Sequence, residues 1–354
     1  MTRAADKLEL PPALSLWHES ATLRAGVGYK DNVTLSASEP RGSAFEQAGL
    51  DLMVFRLPWN DWQFSFFSSA NDARYFDQTI GIDTEQNAAA STQFTWLPGR
   101  NWKSLTTLQY TYMNQVLDVL TTLRVASTRQ QVLWHAVTAR QGWRKDFAPY
   151  WIEASFGAGR NLLNFPLDDF WQGGPQLAVG RSYGYGSEVS LTYQAQRSFF
   201  DTYKQAQVDG SLLPDTSLEF TVQNAEINWQ HQWDARRRWR TTTRLSFEMN
   251  QDNGPGYFDY RLYRLTEQLR YSRGTWMLSA QASLGHYDFL HRAIAVGSPE
   301  TTSRTTVLLN VRGEKKLSQH WKVYATYDHE HSLSNLESER YSANVALAGV
   351  EFSF

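Results

Sequence analysis

Along most of the chain, apolar and polar residues alternate with a period of two over segments of about ten residues, the pattern of strands whose two faces meet different surroundings. Trp276, Leu278, Ala280, Ala282 and Leu284 alternate with Ser279, Gln281 and Ser283, and Tyr150, Ile152, Ala154, Phe156 and Ala158 alternate with Glu153, Ser155 and Gly157. The runs Val189 to Ala195 and Thr243 to Met249 repeat it. This reading predicts about sixteen strands, beginning near residues 20, 44, 61, 87, 102, 129, 148, 174, 187, 219, 237, 258, 274, 303, 320 and 340. No window approaches the roughly 18 consecutive apolar residues of a membrane-spanning helix.

The connections alternate between long and short. Polar stretches follow the odd strands, at 31–43, 71–86, 115–128, 160–173, 199–217, 250–257, 288–302 and 329–339; tight turns such as LPWND at 57–61, SYGYG at 182–186 and SRGT at 272–275 follow the even ones. Antiparallel strands joined in this way collect the loops at one end and the turns at the other, the asymmetry of an outer-membrane barrel. Aromatics flank the short turns: Trp59 and Trp62, Trp96 and Trp102, Trp143 and Trp151, Trp233 and Trp239, Tyr271 and Trp276, Trp321 and Tyr324. At one level, such rings form a girdle at the headgroups. The expected fold is all-β: a periplasmic segment at 1–19, then one transmembrane antiparallel β-barrel over 20–354, with long extracellular loops and short periplasmic turns. The alternative, a large soluble β protein with aromatics in its core, fits poorly with a polar phase rich in Thr, Ser, Gln, Asn, Arg and Glu.

Composition narrows the function classes. Mean hydropathy is −0.50 although 14% of residues are aromatic and 14 are Trp, so the rings are placed for a reason other than an ordinary Leu, Ile and Val core. The balance of 34 basic to 36 acidic residues gives no footprint for nucleic acid. The absence of Cys removes thiolate metal sites, Cys nucleophiles and disulfides. The opening MTRAADKLELPPA has no apolar run of signal-peptide length, so an export signal is expected to have been replaced or to lie outside this sequence.

The last strand, RYSANVALAGVEFSF, carries Gly349, Phe352 and Phe354, with Leu347 where a polar residue is expected. It resembles the terminal strand of Gram-negative outer-membrane β-barrel proteins, which the barrel-assembly machinery reads as a signal. The resemblance implies a Gram-negative outer membrane, with its lipids and that machinery as partners. The first strand, LRAGVGYKDNVTLSAS at 23–38, is similar to the opening of barrels associated with exopolysaccharide export, some attached to a periplasmic helical-repeat domain. That similarity implies a polysaccharide cargo and a periplasmic partner.

A barrel of this size encloses an aqueous lumen unless loops plug it. Its inward phase offers Arg24, Glu153, Arg244, Glu248, Arg264, Arg270, Arg312 and Glu314, which either set a field that sorts solutes or pair across neighbouring strands in the wall. The segment NFPLDDFWQGG offers Phe165, Asp168, Asp169, Phe170 and Trp171 for a constriction, and Tyr257 and Phe258 are further rings that could stack on sugars; loop packing is the alternative for all of them. The apolar run VLDVLTTLRV at 116–125 either extends two strands above the membrane or forms a short loop helix. DHEHSLSN at 328–335, with His329, His331, Ser332 and Ser334, falls in a predicted loop. It only loosely resembles the His and Ser portion of outer-membrane phospholipases, and its spacing departs from theirs. Two alternating His without a third placed ligand read as a solvated loop. No catalytic residue, metal or cofactor is expected. The expected function is a monomeric outer-membrane channel for hydrophilic solutes or polymer, leaning to polysaccharide export. A general solute-uptake porin and a plugged barrel that anchors partner proteins are the alternatives.

Overall fold

The computed structural model describes residues 16–99, 101–120, 129–164, 166–295 and 297–354, without the side chain of Trp59. Sixteen antiparallel strands close into one barrel in sequence order. They are β1 (Trp17–Lys30), β2 (Ser43–Trp59), β3 (Trp62–Tyr75), β4 (Thr84–Gly99), β5 (Trp102–Asp118), β6 (Arg129–Phe147), β7 (Tyr150–Leu163) and β8 (Phe170–Tyr183). The ring continues with β9 (Ser187–Phe200), β10 (Glu219–Gln232), β11 (Trp239–Asp252), β12 (Tyr260–Arg273), β13 (Trp276–Ala293), β14 (Thr301–Lys316), β15 (Trp321–Ser334) and β16 (Tyr341–Ser353). β1 closes on β16 in a register that runs from Thr22 opposite Ser353 to Lys30 opposite Val345. Closure leaves no open edge, as a sheet in lipid requires.

The strands begin within a few residues of the positions expected from the alternation, and the differences gather at the extracellular ends. β8 starts at Phe170, and β15 runs on to Ser334, so 328–334 is strand where a loop was expected. Above the membrane both faces of a hairpin are wet, and the apolar alternation fades before the hydrogen-bond ladder ends. At the other end β1 begins at Trp17, inside the expected periplasmic segment; residues 1–15 of that segment lie outside the described residues.

Val27, Leu108, Phe156, Leu177, Leu191 and Leu245 represent an apolar belt on the outer wall, each at least 49% exposed. A continuous belt of this kind would drive association in water and is stable against hydrocarbon. At its periplasmic edge Trp96 meets Trp143 at 6.5 Å between ring centroids, Trp239 meets Tyr271 at 4.3 Å and Trp321 meets Phe352 at 4.9 Å. Two of the expected girdle rings turn inward instead. Trp151 is buried, its Nε1 donates to Glu188 at 3.2 Å, and the Arg144 guanidinium lies 4.1 Å from its ring. Tyr324 is buried under the Arg312 guanidinium, 4.5 Å away. Each stands an odd number of residues from an outward ring, Tyr150 and Trp321 respectively, and a strand turns alternate side chains to opposite faces.

Candidate functional site

The site is the lumen and the loop that enters it. β5 continues to Asp118, and Val119 and Leu120 take helical form. This short run touches well-separated parts of the wall. Val116 packs with Leu35, Tyr341 and Ala343, Val119 with Phe170, Phe200 and Phe220, and Leu120 with Tyr260, Leu262, Tyr287 and Phe289. Asp118 forms a buried ion pair with Arg304 of β14, the two side chains being 4% and 1% exposed. β5 and β13 stand eight places apart in the ring of sixteen, so these contacts bridge the barrel near its extracellular end. Part of the apolar run at 116–125 is thus strand extension and its next two residues turn inward; residues 121–128 lie outside the described residues.

Of the four described residues expected at a constriction, Phe170 alone joins this inward core, with its ring 4.9 Å from Phe200. Asp168 instead fastens two extracellular loops together, accepting from the backbone N–H groups of Thr202 and Tyr203 at 2.7 and 2.8 Å. Asp169 accepts from the backbone N–H of Leu163 at 2.7 Å and lies 3.5 Å from Arg160. Trp171 is a correction: it faces outward, 56% exposed, with the Arg160 guanidinium 5.3 Å from its ring. Phe165 lies outside the described residues. Phe258 packs on Phe220 at 5.5 Å and Tyr257 on Phe258 at 5.0 Å, which is loop packing.

The eight lumen charges divide by their partners. Arg24 pairs with Asp51 and also donates to Asn71 at 3.0 Å. Arg312, Glu314, Lys322 and Glu351 form one network, with Arg312 to Glu314 at 2.6 Å and Lys322 to Glu351 at 2.6 Å. These charges are neutralised within the wall, and a pair held this way exerts little field at a distance. Glu248 is buried and accepts from the Tyr260 hydroxyl at 2.7 Å. Glu153 faces the lumen from β7, opposite Arg144 in register.

Arg244, Arg264 and Arg270 behave differently. On the inward faces of β11 and β12 they are joined by Arg240, and among the described residues none of the four forms an ion pair. Arg240 stands directly opposite Arg270, Arg244 opposite Thr266, and Ser246 opposite Arg264. Arg264 donates weakly to the Tyr287 hydroxyl at 3.4 Å, and Arg270 approaches the Met277 sulfur at 3.1 Å. Sequence reasoning missed Arg240 because it follows the turn run DARRR. The usable signal was parity, since it lies four residues before Arg244 on the same face.

Across the neighbouring strands the wall is made of amides. Gln194 donates to Gln196 at 3.1 Å, and Gln196 to Gln172 at 2.8 Å. Arg140 donates to Gln176 and, at 3.4 Å, to Ser155. Gln172, Gln194, Gln196 and Arg140, together with Gly157, Gly173 and Gly174, line a notch of about 130 Å³. Gly174 has no room for a side chain, because a Cβ there would collide with the backbone carbonyl of Ala195.

The His and Ser run of β15 splits between the two faces. His329 and His331 point outward, their rings 6.1 Å apart, with His329 Nδ1 2.8 Å from Asn344 Oδ1. Ser332 and Ser334 point inward and are buried, donating to the backbone carbonyls of Glu339 and Ser303. His331 and Ser334 therefore cannot act on one substrate. Among the described residues, no three His, Asp or Glu side chains gather to hold a metal.

No family model matches the chain, and no curated protein matches it. Among solved structures the chain is similar to Acinetobacter baumannii OccAB1, with a TM-score of 0.51 and 8% identity over 96% of both chains. A BenF-like porin from Pseudomonas fluorescens Pf-5 gives a TM-score of 0.46 at 9% identity, over 96% of this chain and 99% of that one. A bacterial polysaccharide outer membrane secretin gives 0.45 at 12% identity, over 94% and 97%. The likeness to OccAB1 covers the whole barrel and bears on the fold alone. With the closed sixteen-strand sheet, the apolar belt and the girdle, the chain is an outer-membrane β-barrel of the Gram-negative type.

Proposed function

We propose that the barrel is a channel for hydrophilic solutes, narrowed by the β5–β6 loop, and that its cargo is saccharide. The carrying observation is the inward face of β6 to β12 below that loop. It presents amides, hydroxyls and arginines to water, a surface suited to passing solutes that bring their own hydrogen bonds. The amides of Gln172, Gln194 and Gln196 each offer donors and an acceptor, which matches sugar hydroxyls. The resemblance of the first strand to exopolysaccharide-export barrels gives the reading its direction. A second reading, a barrel closed at rest that anchors partner proteins, is favoured by the dry contacts of Val119 and Leu120. Single-channel conductance of the refolded protein in a planar bilayer, with neutral sugars of graded size as blockers, separates the two. Steady steps with size-dependent block support the channel. Silence from a barrel shown by circular dichroism to be folded refutes it and leaves the anchor.

A further inference from the structure

We infer that Arg240, Arg244, Arg264 and Arg270 form a track for the oxyanions of an acidic saccharide, so that the barrel prefers carboxylate-bearing glycans to neutral ones. The inference deepens the channel reading by naming the class of its cargo, but its test does not depend on passage. Elsewhere in the lumen, Arg24, Arg304 and Arg312 each meet a carboxylate in the wall. On β11 and β12 four guanidinium groups occupy three of four successive inward cross-strand rungs without one among the described residues: Arg240 directly faces Arg270, the Thr242–Gln268 rung intervenes, and Arg244 and Arg264 follow. Like charges opposite each other destabilise a sheet, and among the described residues no carboxylate in the wall pairs with these arginines to offset that cost.

The acidic groups that share the lumen do not complete the set: Glu248, on the same face of β11 as Arg244, accepts from the Tyr260 hydroxyl at 2.7 Å, and Glu188 on β9 accepts from Trp151 Nε1 at 3.2 Å. Glu226 on β10 faces Ser246 across the ladder, and Glu153 lies away on β7. On β15, Asp328 accepts from Asn310, and Glu330 from the Tyr341 hydroxyl. The cations are concentrated on two adjacent strands while these carboxylates are spread over five. A concentrated charge in a cleft with low-dielectric walls focuses its field on a passing ion. A guanidinium offers a carboxylate two parallel N–H groups. The track lies beside the amide wall, since β10 pairs Asn228 with Arg244 on one side and with Ser190 on the other. A chain carrying both hydroxyls and carboxylates would meet partners for each.

The test uses the full chain refolded in detergent micelles and two linear probes of equal length, trigalacturonate and maltotriose, with binding read by titration calorimetry. Trigalacturonate is expected to bind more tightly than maltotriose, with a difference that shrinks as salt is added. The fourfold variant R240Q/R244Q/R264Q/R270Q should weaken trigalacturonate binding about tenfold, the sum of several exposed charge pairs, and leave maltotriose unchanged. Should the fourfold variant not fold, R244Q alone should weaken trigalacturonate about twofold. Failure of trigalacturonate to bind, equal affinity for both probes, or unchanged affinity in a folded variant overturns the inference. In bilayers, the reversal potential under a KCl gradient should show chloride preferred, and the variant should lose that preference. Charge-dependent binding by a barrel that stays electrically silent would remove the channel reading and leave the track standing.

Discussion

Replacing Asp118 with alanine tests whether the β5–β6 loop holds the lumen closed. Asp118 and Arg304 are nearly inaccessible to solvent, so the substitution strands a guanidinium in dry surroundings. Removing one partner of such a pair costs about 3–5 kcal/mol. Among the described residues of the loop, the remaining contributions are close to balanced. Burial of Val116, Val119 and Leu120 contributes roughly 1.5–3 kcal/mol each, while ordering the five residues from 116 to 120 costs about 1–2 kcal/mol per residue. Among the described contacts the ion pair therefore tips the balance, and its loss should move the equilibrium toward the open form by roughly a hundred- to a few thousandfold. The barrel is held by its own ladders and should remain folded. Single-channel recordings of Asp118→Ala are expected to show larger steps and a raised sugar exclusion limit. The double variant Asp118→Leu with Arg304→Met supplies the control, because an apolar pair of similar volume replaces a buried ion pair at little or no cost. It should behave as the unaltered protein does. A folded Asp118→Ala barrel with unchanged conductance and exclusion limit would refute the reasoning, as would a double variant as open as the single one.

Gly349 lies at the β1–β16 seam, where a Cβ would strike the Ala25 carbonyl and come within 2.7 Å of the Tyr324 hydroxyl. Gly349→Val should therefore impair closure, at a cost of about 1–3 kcal/mol or more, and lower the fraction of heat-modifiable folded barrel on electrophoresis; a normal fraction would contradict this. Brominated acyl chains should quench the outward Trp143 but not the inward Trp151, so Trp143→Phe removes quenchable emission and Trp151→Phe does not; equal losses would count against the assigned faces. In the extracellular loop before β12, burial holds the Asp259 carboxyl above its usual range, helped by the charge of Asp252 and opposed by the backbone N–H of Asp252 and by His291. A raised folded-state value means the folded loop binds the proton more tightly. Its contribution is full below the unfolded value of 3.8 and is lost as pH rises through the folded value. Limited proteolysis of this loop should increase over that interval, and Asp259→Asn should flatten the dependence; a rise of the same size in the variant would rule the carboxyl out.

The ladder was legible because its cause is local. Lipid on one side and water on the other impose alternation residue by residue, and long loops against short turns reveal which end faces out. Parity was equally legible but has to be applied strictly. Tyr150 and Ile152 fix the lipid phase of β7, so Trp151 between them must face the lumen whatever its neighbours near the turn suggest. Trp321 and Tyr324 differ by three positions and face opposite ways for the same reason. The extension of β15 through His329, His331 and Ser334 was not legible, because polar residues occupy both phases where both faces are wet. The inward loop was legible least. Val116, Val119 and Leu120 find their partners on strands far away in sequence, and an apolar run reads the same whether it meets lipid, a neighbouring loop or the opposite wall. Which arginines are neutralised follows from cross-strand register, and register is a property of two strands at once.

On the proposed readings, the loop and the arginines would divide the work of selection along the barrel axis. The loop contacts fall on Tyr260, Tyr287, Phe289 and Arg304, at the extracellular ends of β12, β13 and β14. The unpaired arginines occupy the stretch from Arg264 down to Arg270, next to the periplasmic turn after Arg273. A solute entering from the periplasm meets the charge first and the narrowing afterwards. Charge acts over about 8–10 Å at ordinary ionic strength, so it can sort molecules that are still in water, before any contact is made. Packing acts only on touch and is left to set size. For uptake the same geometry would meet each solute with the apolar loop first and offer the arginines only after the barrier had been crossed. On the proposed channel reading the order of encounters differs between the two directions, charge then narrowing for outward movement and the reverse for uptake, while the net direction follows the solute gradient.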